Sequence, residues 1–482
     1  MRAYVLKRLL LMIPTFAGIF LVLFLLLNLA PGRPGGTSAG VDLAASLRDE
    51  RGQDSQRIFR EQFQLDRPVL LNPYFALRPA KVRAALERFA QAVPATSAER
   101  VAAWEELEDW GSYAVPGLVA AMRDDPRAAV CDAAVLVLRH AAQRPLLDPF
   151  AERPDPATAA ENRAREAENA ELRTWRYGPG APEPERREVI ARWSAWYDAH
   201  ASRWQWDAWG RLRVLLLETR LAAYVSNLAR LDFGVSLVTR EPVIPTLVSK
   251  LKYSITLSLG SLVLAYAIAI PLGVLSAVTR GSSSDRAITV GLFVLYSLPS
   301  FFVATLLLVY LSQGSPLPGL RLFPTGGWSS PDPLSRTSLA ELADVAWHLV
   351  LPMACMTYGS LAALSRYMRS SLLDVIAADF VRTARAKGVP ERTVVLHHAL
   401  RNALLPILTL LGGLLPAVLG GSVIVEYVFG IPGMGLWVVD SIFQRDYNVI
   451  LAVELLSTVL VLVGTLLTDL AYAWADPRIR YE

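Results

Sequence analysis

The sequence predicts an all-α membrane protein: six membrane-crossing helices with a helical insert between the first and the second. Three observations carry this. Hydrophobic residues make up 53% of the 482-residue chain and charged residues only 19%, where a soluble chain carries about a quarter charged residues. The apolar excess is gathered into discrete blocks, and roughly 20 apolar residues suffice for a helix to cross the hydrocarbon core of a bilayer. Between the first two blocks lies a long polar stretch in which apolar residues recur at helical spacing.

The first block follows Arg2, Lys7 and Arg8 and runs apolar from Leu9 to Ala30. A secretory signal has the same charge order, but its apolar core is only about 7–15 residues and ends at a small-residue cleavage site. Here Pro31-Gly32 ends a longer run, so it reads as a retained first span with its N-terminus in the cytoplasm. Further spans are expected at Ile255–Val278, Ala287–Leu311, Val345–Ser365, Ala403–Val425 and Val449–Ala475, the fourth interrupted by His348, Pro352 and Gly359. Alternate connecting segments are rich in arginine: Arg280, Arg286, Arg366, Arg369, Arg382, Arg385, Lys387, Arg392, Arg401, Arg478 and Arg480 fall on the side of Arg2. The opposite loops, 312–344 and 426–448, carry only Arg321, Arg336 and Arg445. The positive-inside rule makes the first side cytoplasmic and the insert extracytoplasmic. The expected organisation is 1–31, tail and first span; 32–77, an extracytoplasmic segment; 78–221, the insert; 222–254, a connector; and 255–482, the remaining spans.

Within the insert, Val82, Ala85, Leu86 and Phe89 form one helical stripe, Val115, Leu118, Val119 and Met122 a second, and Val130, Ala133, Ala134, Val137 and Ala141 a third after the break at Asp124-Asp125-Pro126. The passage from Gly111 to Ala142 resembles a HEAT-type helical repeat. From Pro154 to Trp175 the chain reads as an exposed helix or a linker. Eight of the twelve tryptophans lie in this region: Trp104, Trp110, Trp175, Trp193, Trp196, Trp204, Trp206 and Trp209. Core packing is the first reading, since Val189, Trp193, Trp196, Tyr197 and His200 share a stripe. A stacking surface or an anchor on the outer leaflet is the alternative.

The stretch that organises the remainder is Asp374–Pro406. Leu373, Ile376, Ala377, Phe380 and Ala384 recur on one helical face while Asp374, Arg382 and Arg385 point away. Gly388 suits a helix stop and Pro390 the first turn of a second helix, whose apolar face holds Val395, Leu396, Ala399 and Leu400. The expectation is helix, glycine elbow, helix on the cytoplasmic surface. No GxxxxGK[ST] phosphate loop, HExxH or GxSxG is present, and the five histidines and two cysteines form no metal or redox spacing. The pattern excludes the common hydrolases and points to a conduit without a catalytic site, cofactor or metal.

This stretch, DFVRTARAKGVPERTVVLHHALRNALLP, resembles the coupling loop of binding-protein-dependent ABC import permeases of the dipeptide/oligopeptide/nickel branch. Arg382, Thr383 and Ala384 stand at the EAA-type triplet, followed by Gly388 and Leu400, while His398 and Arg401 replace the more usual Ile and Pro. The same branch is resembled in order by KRLLLMIPTF, LDRPVL (65–70), LDFGVS (231–236), SLPSFF (297–302), VEYVFGIPGMG (425–435), RDY (445–447) and DPRIRY (476–481). Pro31-Gly32-Arg33-Pro34 departs from its usual Pro-Gly-Asp-Pro. The resemblance covers about 1–77 and 222–482. It implies the type I importer permease fold, a second permease, two cytoplasmic ATPases and an extracytoplasmic solute-binding protein as partners, and peptide as the solute. Nickel or another solute on the same fold, or a transport-inactive scaffold whose insert binds an envelope protein, are the alternatives. It implies coupling contacts at 369–402 through Arg382, Thr383, Ala384, Arg385, Lys387, Gly388, Pro390, Glu391, Arg392 and Leu400. Glu426, Gly430, Pro432, Gly433 and Gly435 become candidates for the outer rim, and Glu454 and Asp469, acids within an apolar run, for the pathway.

Overall fold

The computed structural model describes residues 2–29, 60, 63–91, 98–125, 127–147, 155–178, 181–331, 338–404, 406–407 and 423–475. Its contacts divide the chain into two compact units, Met1–Gly36 with Phe233–Glu482, and Thr37–Asp232. Among the described residues the structure is helical, with β-pairing confined to isolated bridges.

The first unit begins with α1 (Arg2–Leu29). The second holds α2 (Pro79–Gln91), α3 (Ala98–Trp110), α4 (Val115–Asp124), α5 (Ala128–Ala141), α6 (Pro156–Thr174), α7 (Glu183–His200), α8 (Ala208–Leu217) and α9 (Arg220–Ala229). The three apolar stripes expected from the sequence are buried in one core with Trp104, Trp110, Trp193 and Trp196. The stretch after Pro154 is a helix, capped by Asp155, whose carboxylate accepts the Ala157 and Thr158 N–H groups at 2.9 and 3.0 Å. It docks through Asn169, whose amide pairs with both backbone groups of Arg144 (2.8 and 2.9 Å). The unit is wider than 78–221. Asn72 reaches the Glu218 carbonyl (3.1 Å) and the Tyr113 hydroxyl (3.2 Å), Arg60 is ion-paired with Glu108 (3.2 Å) and with Asp109, and Tyr113 hydrogen-bonds Glu218.

The first unit continues with α10 (Val243–Val278), α11 (Ser283–Ser297), α12 (Ser300–Leu311), α13 (Ser338–Ile376), α14 (Asp379–Ala386), α15 (Glu391–Thr393, continued as a π-helix over Val394–Ala399), α16 (Val423–Phe429), α17 (Met434–Gln444) and α18 (Tyr447–Ala475). Among the described residues, four helices are long and apolar enough to cross a membrane: Val5–Leu29, Val243–Val278, Ser338–Ile376 and Tyr447–Leu467. The expected third span is instead the pair α11 and α12, bent by 98°. Its cause is Pro299, which has no N–H to continue the ladder and holds Leu298 in extended backbone (ψ 130°). Most of the expected span Ala403–Val425, the Pro31-Gly32-Arg33-Pro34 sequence and the 476–481 motif lie outside the described residues.

The centre of this unit is the packing of α10 on α13. Ser254, Ser258, Ser261, Ala265, Ala269, Gly273, Ser276 and Ala277 are buried along α10, and small side chains let helix backbones approach in a membrane. At Gly273 a Cβ would lie 2.7 Å from the Ser365 carbonyl oxygen. Thr357 and Ser365 donate across the seam to the carbonyls of Ser261 and Ala269, each at 3.2 Å. At one end of the pair Asp285 is enclosed by four donors: Arg369 through Nε (3.1 Å) and Nη2 (2.9 Å), Ser276 (2.5 Å) and the Gly281 N–H (2.9 Å). The α10–α11 turn is thereby tied to α13.

Candidate functional site

The charged stretch forms a knob at the end of α13. That helix ends at Ile376, the chain turns at Ala377-Ala378, and α14 restarts with Asp379 in its first turn. The break shifts the helical register: Val381 and Ala384 are buried, and Phe380, expected on the apolar face, is 46% exposed. After α14 the backbone closes as a glycine C-terminal motif. Lys387 N–H donates to Thr383 O (3.1 Å), Gly388 N–H to Arg385 O (2.9 Å) and Val389 N–H to Ala384 O (3.3 Å), with Gly388 at φ 77°. Pro390 stands at the N-cap of α15 (φ −57°, ψ 137°), just outside the first turn, and its carbonyl accepts from Thr393 (2.9 Å) and Val394 (3.0 Å).

Arg385 and Glu391 face each other across this elbow, Nε to Oε2 at 3.0 Å and Nη2 to Oε1 at 2.7 Å, the bidentate geometry that gives an arginine–carboxylate pair its direction. The hydrogen bonds from Arg385 hold the Glu391 carboxyl below its ordinary range, and those to Glu391 raise Arg385. Arg385 is thus occupied within the knob, whereas Thr383, Lys387 and Arg392 are exposed and Arg382 meets the exposed Asp379 at 3.4 Å. Beneath, Val381, Ala384, Val394, Val395 and Ala399 share one buried cluster with Ala269 and Ala277 of α10 and Leu364, Met368 and Leu372 of α13. Leu400 is half-buried beside it. Leu396, expected on the apolar face, is 44% exposed, because the π-helical turn advances fewer degrees per residue than the α-helix assumed from spacing.

The residues proposed for the rim do something more specific than form a turn. Glu426 is fully buried, and its Oε2 accepts the N–H groups of Gly435 (2.6 Å) and Leu436 (3.2 Å) at the start of α17, where a helix has unsatisfied donors and a positive end. Ser254 of α10 accepts from Met434 N–H at 2.8 Å. A Cβ at Gly433 would lie 2.7 Å from Ser254 Oγ and collide with the Glu426 carboxylate. At Gly435 it would lie 2.7 Å from Val423 Cα. Gly430 makes the turn at φ 62° and Pro432 follows it between α16 and α17. The glycines make room for an acid that ties α16, α17 and α10 together.

Asp469 is ion-paired with Arg8 of α1 at 3.0 Å, so it joins the first and last helices of the unit. Glu454 is half-buried on α18, with no cation at ion-pair distance among the described residues. Sequence reading missed two contacts. LDFGVS and RDY, noted separately, meet: Asp446 accepts from the Ser236 hydroxyl and from Leu237 N–H (3.1 Å), and Asn448 donates to Val235 O (2.9 Å). The Asp285–Arg369 pair gave no local signal, its partners being 84 positions apart.

Comparison with known proteins places these features in context. Residues 269–481 match the model of the family described as binding-protein-dependent transport system inner membrane component. The chain is 42% identical over 259 residues to the oligopeptide transport system permease protein AppB of Bacillus subtilis, covering 54% of this chain and 79% of that one. It is 33% identical over 279 residues to the dipeptide transport system permease protein DppB of Escherichia coli K12, covering 54% and 80%. A chain from inward-facing structures of the MetNI methionine ABC transporter is similar at a TM-score of 0.38 and 18% identity, over 48% of this chain and 97% of that one.

Proposed function

Since the chain belongs to the family of binding-protein-dependent transport inner membrane components, we propose that it is the translocation subunit of an ATP-driven importer of peptides. The peptide assignment is supported by the relatives named for oligopeptide and dipeptide transport, with nickel the second solute to be tried. In this reading the chain hydrolyses nothing itself. It works in a bacterial inner membrane with a second permease, two cytoplasmic ATPases and an extracytoplasmic binding protein, and the insert lies on the outer side.

The observation that carries the reading is the knob: a rigid elbow at Gly388, locked by Arg385–Glu391, exposing cations outward and packed inward on α10 and α13. A groove on the ATPase that receives Arg382, Lys387 and Arg392 moves the knob when ATP closes the ATPase pair. The buried cluster passes that displacement to the two central helices, which alternate access between the two faces of the membrane. Asp285–Arg369 carries the α10–α11 turn along.

The test is a proteoliposome holding this chain with its partner permease and ATPases, supplied with binding protein. The expected result is ATP-dependent uptake of a labelled dipeptide and ATP hydrolysis stimulated by that peptide. Uptake of nickel ion without uptake of peptide would replace the solute assignment. Neither, from a fully assembled complex, would favour the scaffold reading.

A further inference from the structure

Of the eight tryptophans of the second unit, four are buried, three are half-buried and one stands in the open. Trp209 is 77% exposed, and with it on α8 are Leu217 at 60%, Leu216 at 47% and Leu212 at 42%, while Val214 is the residue of this helix that enters the core. At 3.6 residues per turn, Leu212, Leu216 and Trp209 fall within one arc, opposite to Val214, and Arg213 and Leu217 extend that arc on one side. The patch continues beyond the helix. Asn72 N–H donates to Leu215 O (3.0 Å), Arg220 N–H to Pro68 O (2.9 Å) and Leu221 N–H to Val69 O (3.1 Å). These bonds run exposed Leu70 and Leu71 alongside the end of α8.

An apolar face of this size, with a tryptophan at one end, is unusual on a surface that only water covers. Arg213 is exposed between Trp209 and Leu217 on this face, whereas Arg211 lies on the other side of the helix and donates through Nε to the Trp206 carbonyl (3.2 Å). The acids that flank them are occupied, Asp207 by the Gly210 N–H (2.7 Å) and Glu218 by the Tyr113 hydroxyl. Trp and Leu on one face with an arginine among them is the composition of helices that lie in the headgroup region, with the apolar side about 5–10 Å into the acyl boundary, and tryptophan is enriched at that depth. Connectivity agrees: α9 and a short connector are all that separate α8 from the membrane-crossing helix α10. We propose that α8, with Leu70 and Leu71, is an interfacial helix resting on the lipid of the outer leaflet. This rests on the outer-side placement of the insert proposed above and not on the transport activity.

The full-length chain, in nanodiscs of phosphatidylethanolamine and phosphatidylglycerol, is spin-labelled at Trp209→Cys, Leu212→Cys or Leu216→Cys. Ala191→Cys, on an exposed turn of α7, is the aqueous reference. Cys131 and Cys355 are buried, and the unsubstituted chain supplies the labelling blank. The expected result is more collision with dissolved oxygen than with a water-soluble nickel chelate at all three α8 positions. The oxygen-to-nickel ratio there should be several-fold above that at Ala191. Ratios equal to the reference would show α8 standing in water and overturn the proposal. Shielding from both reagents would show protein covering the face, and would overturn it as well.

Discussion

Gly388 offers the sharpest test of the knob. Its φ of 77° is the left-handed conformation, and a Cβ built there meets nothing within 4 Å. A substitution is therefore disfavoured by backbone conformation alone, with no packing contribution to confuse the result. For alanine the left-handed conformation costs roughly 1–2 kcal/mol, so the closed elbow should lose about five- to thirtyfold in population relative to open alternatives. Asparagine visits this region more readily and should fall between glycine and alanine. Proline is locked near φ −65° and has no N–H, so it cannot adopt this turn and also loses the 2.9 Å bond to Arg385 O. The assay is peptide-stimulated ATP hydrolysis by the reconstituted complex, with assembly checked by co-purification. The expected order of coupled activity is Gly, Asn, Ala, Pro, with Pro near the unstimulated rate. Full coupling in Gly388→Pro, or an alanine variant that falls as far as proline, would refute the argument that this backbone angle makes the elbow.

Three further outcomes follow from the same contacts. Arg385→Glu and Glu391→Arg should each lower coupled ATPase activity and the double exchange should recover part of it. Because Glu391 is depressed, the pair is complete at neutral pH and is lost only as pH falls through a value below the ordinary carboxylate range of about 4, so coupling measured across mildly acidic pH should show no step from this pair. Gly435→Ala, whose Cβ meets backbone, should lose about 1–3 kcal/mol by overpacking, seen as a lower thermal midpoint in detergent. Gly433→Ala drives its Cβ into the buried Glu426 carboxylate and Ser254 hydroxyl and should lower the midpoint as well, and an unchanged midpoint would count against the Glu426 arrangement. Arg369→Lys keeps the charge and gives up the two-toothed contact with Asp285. Its thermal midpoint should fall between wild type and Arg369→Gln, and identity of all three would remove the Asp285 tie from the account.

Membrane class, the helices between Val82 and Ala141 and the glycine elbow are decided by local information, and the sequence by itself determined them. Blocks of apolar residues, stripes at Val82–Phe89 and Val130–Ala141, and Gly388 before Pro390 each state their structure within a few turns of helix. The stripe of Ser258, Ser261, Ala265, Ala269 and Gly273 emerged as a close-packing seam only from its burial against α13. Register was not. Phe380 and Leu396 turned outward because a two-residue break and a π-helical turn moved the face, and neither has a sequence signature at this length. Tertiary structure alone decided the partners: Asp285 with Arg369, Asp469 with Arg8, Asp446 with Ser236, and Glu426 with the start of α17. An acid in an apolar run announces only that a partner is needed, since an uncompensated charge there is costly. Which partner it takes depends on how distant helices cross, and a pattern of spacing along one chain does not contain that.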